Sequence, residues 1–422
     1  MPTDSYPKAI LHVDGDAFFA SCEITRKPYL RGKPVVTGLE KGIASSMTYE
    51  AKACGITRAM RLSEIRRVCP EVVILKSDYM LYAMYSQRMY AIVRRYTDVV
   101  EEYSIDECFA DLTGMDMVLG ISYEEIAHKI KFDLENDLGI TFSVGLSVNK
   151  VLAKLASKWQ KPAGFTMISK DKIPEFVSAT PIHKLWGIGR MTSIEMRQKG
   201  IISASDLATK PIEWVRANFD KPVQEMHAEL NGYFVHELSS SGQNEDSSSI
   251  QRTRTFHPAS KDKRFLLSQL SEHVEHACAT LRCSGRYAAR FSFFIKTQQD
   301  FRYYGSDFRL IQPSATPSDF IKIVSSNIDK FFARNIEYRA SGVRLFDLTY
   351  HKQDSFDLFG AQKSSDSFEK VFGAVDELSH RYGSGTMYLG SSVGSGGFTR
   401  PTLGKPAKSK KRLNMPILGS VR

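Results

Sequence analysis

The chain has 422 residues, of which 42% are hydrophobic and 25% charged, and its formal net charge is +10. These totals are typical of a soluble globular protein with more than one domain, and the positive charge favours a polyanionic partner, either nucleic acid or an anionic membrane surface. No apolar run approaches the roughly 20 residues that span a bilayer, and the polar N-terminus lacks the apolar core of a signal peptide, so we expect a cytoplasmic protein that does not insert into membranes.

The six cysteines are scattered along the chain and include no Cys-x-x-Cys pair. Cys278 and Cys283 lie in helical-looking sequence without a second ligand pair, which argues against zinc at that point. Cysteines of this kind are reduced in proteins that are not exported, so the sequence predicts structural thiols.

The first apolar run, residues 8–14, predicts a buried strand that ends at the acidic group Asp14-Gly15-Asp16. A helix is predicted directly after this group. Free N–H groups at the start of a helix can bind phosphate, so we expect a phosphate site beside the carboxylates.

Residues 42–46 are expected to pair with the short strand before them as a small hairpin. The next segment, 47–56, predicts a helix that carries Tyr49 and Lys52 three positions apart and therefore on one face. Two interpretations stay open. A lysine on a helix is ordinarily only solvated, whereas this shared face next to Ser46 suits contact with phosphate.

A second acidic cluster lies at the turn of a predicted β-hairpin, with residues 99–103 leading in and residues 108–112 leading out. Asp106 and Glu107 occupy this turn. If the hairpin neighbours the first strand, these carboxylates meet Asp14 in an all-oxygen site of the kind that Mg²⁺ prefers. The residues alone leave a merely solvated acidic turn open as the alternative.

Helical patterns cover residues 78–96 and 122–137, followed by a strand over 141–146 and a helix over 150–159, with Lys161 in the next turn. This order of strand, helix, hairpin, helix, strand and helix predicts an α+β sheet with its helices packed on one face.

Residues 170–238 are predicted to be mostly helical and contain Gly187-Ile188-Gly189, followed by Arg190. Two glycines around one apolar residue let a phosphate approach backbone N–H groups, as in the helix-hairpin-helix motif, which holds a DNA backbone without reading its sequence. An ordinary turn between two helices is the alternative.

Residues 239–249 contain no apolar residue and predict a flexible linker. Residues 250–350 then follow the order β-α-β-β-α-β, a compact independent unit with a net charge of +7. One face of its sheet is expected to follow a phosphate backbone while the other packs two helices; a solvated basic face is the alternative. The basic residues predicted to contact DNA are Arg252, Arg254, Arg290, Lys296 and Arg302.

The region 351–422 is rich in serine and glycine and is expected to be partly disordered. Within it, residues 353–359 form a short apolar patch that predicts a peptide docking into a partner's groove. The segment 400–412 has six basic residues and no acidic one, which predicts a solvated tail that seeks nucleic acid.

Five segments resemble, in this order, the motifs of the Y-family translesion DNA polymerases, particularly the bacterial branch of that family. The match extends from residue 8 to about residue 350. The segments are Leu11–Glu23, Tyr49–Lys52, Tyr103–Glu107, Val144–Lys154 and Lys161–Gly164.

The resemblance implies a right-hand polymerase fold and low-fidelity, template-directed DNA synthesis past damage, as part of the DNA-damage (SOS) response. The primer 3′-hydroxyl would attack the α-phosphate of a deoxynucleoside triphosphate, and the partners would be primer-template DNA and these nucleotides. The implied domains are a palm (1–21 and 78–169), fingers (22–77), a helical thumb (170–238), a linker (239–249), a little finger (250–350) and a C-terminal tail (351–422).

Residues at the matching positions carry implied roles. Asp14, Asp106 and Glu107, with the carbonyl of Gly15, would hold two Mg²⁺ ions. Phe19 would be the steric gate, whose ring excludes a ribose 2′-hydroxyl, with Phe18 as its buried neighbour. The full set of implied nucleotide contacts is Phe18, Phe19, Ser46, Tyr49, Lys52 and Lys161, and that of thumb DNA contacts is Gly187, Gly189 and Arg190. The segment Phe356–Phe359 loosely resembles a sliding-clamp-binding peptide.

The chain also departs from the family pattern. Lys52 stands where the family usually has arginine, which removes a bidentate contact and should loosen the grip on triphosphate. Ala59-Met60-Arg61 replaces the usual Gly-x-Pro, which leaves the lesion preference open.

A nucleotidyl cyclase would need a Gly-Gly-Asp-Glu-Phe type signature that is absent here. A catalytically silent DNA-binding scaffold of the same fold is the remaining alternative.

Overall fold

The computed structural model describes residues 8–239, 248–350, 362–383 and 386–394, except for the side chains of 362–370. The chain divides into two compact units, Met1–Asn244 and Glu245–Arg422. The predicted docking peptide at 353–359 and the basic tail at 400–412 lie outside the described residues, as does most of the predicted linker. Among the helices that are described, none combines the length and the apolar character needed to cross a membrane.

The first unit contains a five-stranded sheet of order β5-β6-β1-β7-β8 and a three-stranded sheet of order β3-β2-β4. The strands are β1 (Ile10–Gly15), β2 (Val35–Thr37), β3 (Ser46–Met47), β4 (Val73–Leu75), β5 (Val100–Ser104), β6 (Glu107–Asp111), β7 (Phe142–Ser147) and β8 (Phe165–Met167).

The described residues of the first unit also form twelve α-helices. They are α1 (Phe18–Arg26), α2 (Tyr49–Ala53), α3 (Leu62–Val68), α4 (Tyr79–Val93), α5 (Met115–Leu119), α6 (Tyr123–Leu138), α7 (Lys150–Trp159), α8 (Ile173–Ser178), α9 (Arg190–Gln198), α10 (Ala204–Ala208), α11 (Ile212–Asn218) and α12 (Lys221–Leu230).

The large sheet is covered on both faces. Leu11 and Val13 of β1 belong to the core formed with α4 and α6, whereas Ile10 of the same strand packs with Ala153 of α7 on the opposite face. A Cβ atom on Gly145 would lie 2.2 Å from the carbonyl oxygen of Ala153, so α7 packs directly on the backbone of β7. The expectation that all helices lie on one face was wrong. Every residue of β7 and all but Asp14 of β1 are buried, as expected for central strands that are covered on both faces.

The small sheet differs from the predicted hairpin in one respect. Its second strand is Ser46–Met47, which pairs antiparallel with β2, whereas 42–46 was expected. Ile43 instead forms an isolated bridge with Arg61. No element was predicted for residues 62–75, which contain α3 and β4, and β4 pairs parallel with β2.

Helices α8 to α12 confirm that residues 170–238 are mostly helical, and they share one core. Gly187 has a φ of +91°, in the left-handed region, and Gly189 is the N-cap residue of α9. The element before these glycines is a single 3-10 turn, Ile182–Lys184, rather than an α-helix. The predicted helix-hairpin-helix therefore has an irregular first arm.

The second unit confirms the order β-α-β-β-α-β, with a four-stranded antiparallel sheet of order β11-β10-β12-β9. Its α13 and α14 pack on one face of this sheet around a single core. The elements are β9 (Ser249–Ser260), α13 (Lys263–Cys283), β10 (Tyr287–Thr297), β11 (Tyr303–Ser314), α14 (Pro317–Asn327), β12 (Tyr338–Thr349) and α15 (Gln362–Tyr382).

Candidate active site

The ends of β1 and of the β5–β6 hairpin bring acidic residues from two distant segments together. Asp14 lies opposite Glu107 in the antiparallel register. The backbone N–H of Gly15 donates a hydrogen bond to the carbonyl oxygen of Asp106 at 2.8 Å. Asp106 occupies the hairpin turn, and its Oδ1 accepts a hydrogen bond from Ser104 Oγ at 2.6 Å. The predicted neighbourhood of the first strand and the acidic hairpin is therefore confirmed.

The carboxylate of Asp14 lies next to the ammonium group of Lys161, which forms an ion pair with it. Burial raises the pKa of Asp14; the positive charge of Lys161 opposes the rise, and the negative charges of Glu107 and Asp106 add to it. Asp14, Asp106 and Glu107 are half-buried, and two lysines, Lys154 and Lys161, pair with them, so three carboxylates face two ammonium groups and the site carries excess negative charge. Such a site gains stability from a bound cation.

Glu107 is turned toward α7. Its carboxylate accepts hydrogen bonds from Lys154 Nζ at 2.9 and 2.8 Å and lies 3.1 Å from His12 Nε2. Burial raises the pKa of Glu107, but the hydrogen bonds and charges of His12 and Lys154 outweigh burial and lower it to about 2. Glu107 is therefore ionised at neutral pH. Within the part of the chain that the structure describes, Asp14, Asp106 and Glu107 do not meet within 4.8 Å of one another, in agreement with this orientation of Glu107.

His12 is fully buried between the sheet and α7. Burial lowers its pKa to about 4, so the imidazole is neutral at neutral pH. Because a carboxylate can only accept, Nε2 carries the proton and donates to Glu107, while Nδ1 accepts from Ser157 Oγ at 2.7 Å. His12, itself held by Ser157 of α7, thus orients the carboxylate of Glu107. The sequence pattern gave it no role.

Asp16 organises the site from inside the core. It is 1% exposed. Its carboxylate accepts hydrogen bonds from Ser143 Oγ at 2.8 Å and from the backbone N–H of Ala163 at 2.7 Å. The first bond fixes the end of β1 to β7, and the second fixes the turn that carries Lys161. Asp16 therefore places Lys161 beside Asp14.

Replacing Asp16 by alanine should destabilise the first unit by about 2–4 kcal/mol, because the buried hydroxyl of Ser143 and the partly buried N–H of Ala163 lose their acceptor. Urea unfolding followed by tryptophan fluorescence measures this, since all three tryptophans lie before residue 245. Glu124→Ala, which removes an exposed carboxylate from α6, is the matched control and should change the free energy of unfolding by less than about 0.5 kcal/mol. Equal effects of the two substitutions would refute the role given to Asp16.

The two phenylalanines at the start of α1 have different surroundings. Phe18 is 3% exposed and belongs to the core with α4 and α6, so its burial does not support the predicted nucleotide contact. Phe19 is half-buried and its ring stacks on Tyr82, with centroids 4.4 Å apart and an interplanar angle of 10°. Tyr79 meets the same ring edge-on at 5.7 Å. Tyr79 and Tyr82 are functional candidates that the sequence pattern missed, because a tyrosine-rich helix by itself indicates only packing.

Tyr49 and Lys52 of α2 lie near the carboxylates of Asp14 and Asp16. Tyr49 Oη donates to Asp16 Oδ1 at 3.4 Å, and the ammonium of Lys52 lies 3.8 Å from the centroid of the Tyr49 ring. Burial and then the positive charge of Lys161 lower the pKa of Lys52, so the two lysines act on each other electrostatically. The structure therefore brings Tyr49, Lys52 and Lys161 together. Ser46 lies three residues earlier and pairs with Thr37 of β2.

The glycine turn before α9 is connected to the acidic hairpin through Trp186. Its indole Nε1 donates to Tyr103 Oη at 2.9 Å. Lys154 Nζ lies 4.3 Å from the Tyr103 ring centroid and 5.1 Å from that of Trp186. A Cβ atom on Gly189 would meet no atom within 4 Å, so the turn is open there, and Arg190 beside it is exposed.

In the second unit, the register of the strands decides which basic residues share a face. Arg290 and Lys296 alternate with the buried core residues of β10 and lie on the sheet face that carries no helix. Arg252 and Arg254 lie an even number of positions from the core residue Ile250 of β9, so their side chains project to the same, helix-covered side. Arg252 Nη2 donates to Thr280 Oγ1 of α13 at 2.9 Å, and Arg254 pairs with Glu272 of the same helix at 3.6 Å. The expectation that both arginines lie on the open face was wrong for Arg252, whereas Arg254 also borders the cleft of that face. Neighbouring positions of a strand project to opposite sides, so the register decides which basic residues share a face.

The open face carries a cleft of about 450 Å³ in which aromatic and basic side chains alternate. Lys296 donates to Tyr303 Oη at 2.9 Å inside it. Arg302, in the turn between β10 and β11, is exposed and pairs with Asp300 at 3.1 Å. The residues of the cleft on β9, β10 and β12, together with the turn, include Gln251, Thr253, Arg254, Thr255, Phe294, Lys296, Phe301, Arg339 and Ala340.

Comparison with known proteins gives consistent matches. The chain matches the model of the impB/mucB/samB family over residues 13–158 and that of the impB/mucB/samB family C-terminal domain over residues 247–358. It is 31% identical to DNA polymerase IV of Desulfatibacillum aliphaticivorans over 386 residues, which cover 90% of this chain and 95% of that protein. It is 28% identical to DNA polymerase IV of Pelotomaculum thermopropionicum over 404 residues, covering 93% and 97%. A solved Y-family DNA polymerase chimera superimposes with a TM-score of 0.68 at 21% identity, over 81% of this chain and 100% of the other, which bears on the fold alone.

Proposed function

This chain belongs to the impB/mucB/samB family of Y-family translesion DNA polymerases, and we propose that it extends a primer by two-metal nucleotidyl transfer at Asp14, Asp106 and Glu107. It is a DNA-directed DNA polymerase with the right-hand fold of that family. The observation that carries the site proposal is the hydrogen bond from Gly15 to Asp106, which brings the ends of two distant segments together beside Lys161.

The donor set suits a hard divalent cation. The candidate ligands are the carboxylates of Asp14, Asp106 and Glu107 and the carbonyl oxygen of Gly15, and oxygen donors of this kind favour Mg²⁺. The buried negative charge around Asp14 supports this assignment. When bound, two Mg²⁺ ions lower the pKa of the primer 3′-hydroxyl and neutralise charge on the triphosphate and the leaving pyrophosphate.

The cationic side chains around the carboxylates hold the incoming triphosphate. Lys161 pairs with Asp14, and its ammonium group would bind a phosphate oxygen of the triphosphate. Tyr49 of α2 donates to Asp16, and the ammonium group of Lys52 lies over the Tyr49 ring, so both side chains are close to the carboxylates. As a point charge, Lys52 binds phosphate without the fork geometry of arginine. Phe19, supported by Tyr82, stands at the sugar and excludes a 2′-hydroxyl.

His12 and Lys154 hold Glu107 ionised and oriented toward α7. As a metal ligand, Glu107 would have to turn from Lys154 toward Asp14 and Asp106. The family's domains are proposed at the boundaries expected from the sequence, with the palm around β1 and the hairpin. The thumb turn at Gly187 and Gly189 is proposed to hold the DNA backbone, and the open face of the little finger adds contacts through Arg290, Lys296 and Arg302. We also propose that residues 353–359 bind a sliding clamp and that the protein acts in the cytoplasm as part of the DNA-damage response.

Primer extension tests the function directly. The chain with Mg²⁺ and the four deoxynucleoside triphosphates should extend a primer on undamaged template and insert opposite at least one defined lesion that stalls a replicative polymerase. Templates with abasic sites, alkylated guanines and thymine dimers form the panel. Binding of primer-template without extension on any template would favour the silent scaffold instead.

Binding to primer-template should weaken steeply with salt, because phosphate contacts release counterions. Arg290→Ala or Lys296→Ala should each reduce the slope of log K against log salt by about 1. Lys330→Ala, in the 3-10 turn after α14, removes an equivalent exposed charge from the helix-covered side and should leave the slope unchanged. Fluorescence anisotropy over a salt series measures the slopes, and identical slopes for all variants would exclude the open face as the DNA contact.

A further inference from the structure

The ends of two short helices converge at a cluster of sulfur and oxygen atoms away from the palm. Cys54 is the C-cap residue of α2, Cys69 is the C-cap residue of α3, and Glu71 follows in the turn before β4. Among the described residues, these three form the one group of three histidine, cysteine or acidic side chains whose ligand atoms lie within 4.8 Å of one another. The sequence pattern did not reveal it, because Cys54 and Cys69 are far apart along the chain and lack a motif spacing.

The distances suit a tetrahedral cation. With metal–sulfur bonds of about 2.3 Å and a metal–oxygen bond of about 2.1 Å, two sulfur ligands lie about 3.8 Å apart, and a sulfur and an oxygen ligand about 3.6 Å apart. Cys54 Sγ and Glu71 Oε1 are 4.0 Å apart. All three ligand atoms lie within 4.8 Å of one another, so movements of no more than about 1 Å close the site.

The site is closed on one side and open on the other. Cys69 is 1% exposed and belongs to the small core with α2, α3 and the three-stranded sheet. Cys54 is half-buried, and Glu71 is exposed, so a cation can enter from solvent and keep a water molecule as a further ligand. Burial, with Cys54 and Glu71 as neighbours, raises the pKa of the Cys69 thiol to about 12, so the group stays protonated until a cation displaces the proton.

We propose that Cys54, Cys69 and Glu71 bind one thiophilic divalent cation of the Zn²⁺ type. Two thiolates and a carboxylate compensate its charge, and thiolate ligands favour zinc over the hard cations proposed for the palm. The bound ion cross-links the ends of α2 and α3. Since α2 carries Tyr49 and Lys52, the ion also fixes the helix that contributes to the nucleotide site.

A disulfide between the two cysteines is the competing use of the same atoms. It would join Cys54 to Cys69 but would not need Glu71. The carboxylate within reach of both sulfur atoms favours the cation, because an acidic oxygen adds a ligand to a metal and adds nothing to a disulfide.

The test uses the full chain, freed of metal with a chelator, kept reduced and titrated with Zn²⁺ alone and with Co²⁺ alone. We expect tight binding of one equivalent of Zn²⁺, a rise in the unfolding temperature, and a thiolate-to-cobalt charge-transfer absorption. That absorption reports sulfur ligands and so separates this site from the oxygen-only site of the palm. Cys54→Ser should abolish it, and Glu71→Gln, at an exposed position that folding tolerates, should weaken zinc binding by about tenfold or more.

Cys283→Ser is the matched control, because it removes an exposed cysteine from the other unit and should change nothing. The proposal is overturned if no charge-transfer absorption develops, or if Glu71→Gln binds Zn²⁺ as tightly as the unaltered chain. It is also overturned if protein purified without reductant lacks metal and has a mass two hydrogens lower, with the Cys54–Cys69 disulfide. Metal binding, cobalt absorption and mass are all measured without DNA or nucleotide, so the test of this site is independent of the test of the polymerase function.

Discussion

Asp106→Asn should lower the rate of nucleotide addition by about 10³-fold or more while leaving the fold intact. Asparagine has the same shape, and its carbonyl oxygen can still accept the hydrogen bond from Ser104 Oγ. The substitution removes one of the negative charges that hold the divalent cations, so the electrostatic stabilisation of the transition state is lost. Single-turnover extension at saturating nucleotide measures the rate, and the unfolding temperature checks the fold.

Glu102→Gln is the matched control for this prediction. Glu102 lies on the same hairpin, but its carboxylate is directed away from the site and pairs with Arg94 at 2.7 Å. Its replacement should change the rate by less than about twofold, as expected for a surface ion pair. If Asp106→Asn extends primers as fast as the control, the assignment of the catalytic carboxylates is wrong.

Phe19→Ala should raise incorporation of ribonucleotides relative to deoxyribonucleotides by about 100-fold. A pocket that excludes a substrate group by a bulky ring loses that exclusion when the ring is removed. The stack on Tyr82 holds the Phe19 ring in one orientation, so in the unaltered chain the ring cannot turn aside to admit a 2′-hydroxyl. The ratio of kcat/KM for the two sugars, measured opposite one template base, gives the effect.

Phe18→Leu is the control, since it alters the neighbouring ring inside the core. It should lower the free energy of unfolding by about 1 kcal/mol and leave sugar selection unchanged. Sugar selection that shifts with Phe18 and not with Phe19 would reverse the roles assigned to the two rings.

The sequence predicted those parts of the fold that depend on local patterns. The acidic hairpin, β1 with α1 after it, and the β-α-β-β-α-β order of the second unit are all confirmed. Each has a strong period and clear turn residues. Local patterns left the meeting of Asp14 and Asp106 conditional on the two strands being neighbours, and only the family resemblance implied it. The backbone bond from Gly15 to Asp106 shows that the strand ends do meet.

The features that the sequence did not predict depend on contacts between distant segments, which no local pattern records. Whether Arg252 projects to the open face or toward α13 is decided by one step of register in β9. Asp16 belonged to the acidic group in sequence, yet its partners Ser143 and Ala163 come from much later in the chain. The orientation of Glu107 depends on Lys154, and the meeting of Cys54 with Cys69 depends on how two short helices end.

The most direct measurement is diffraction from crystals of the chain with primer-template, an incoming nucleotide that cannot react, and Mn²⁺, whose anomalous scattering locates the ions. Two peaks should lie between the nucleotide triphosphate and the carboxylates of Asp14 and Asp106, with Glu107 released from Lys154 to join them. Peaks elsewhere, or a nucleotide bound with no ion beside these carboxylates, would contradict the account.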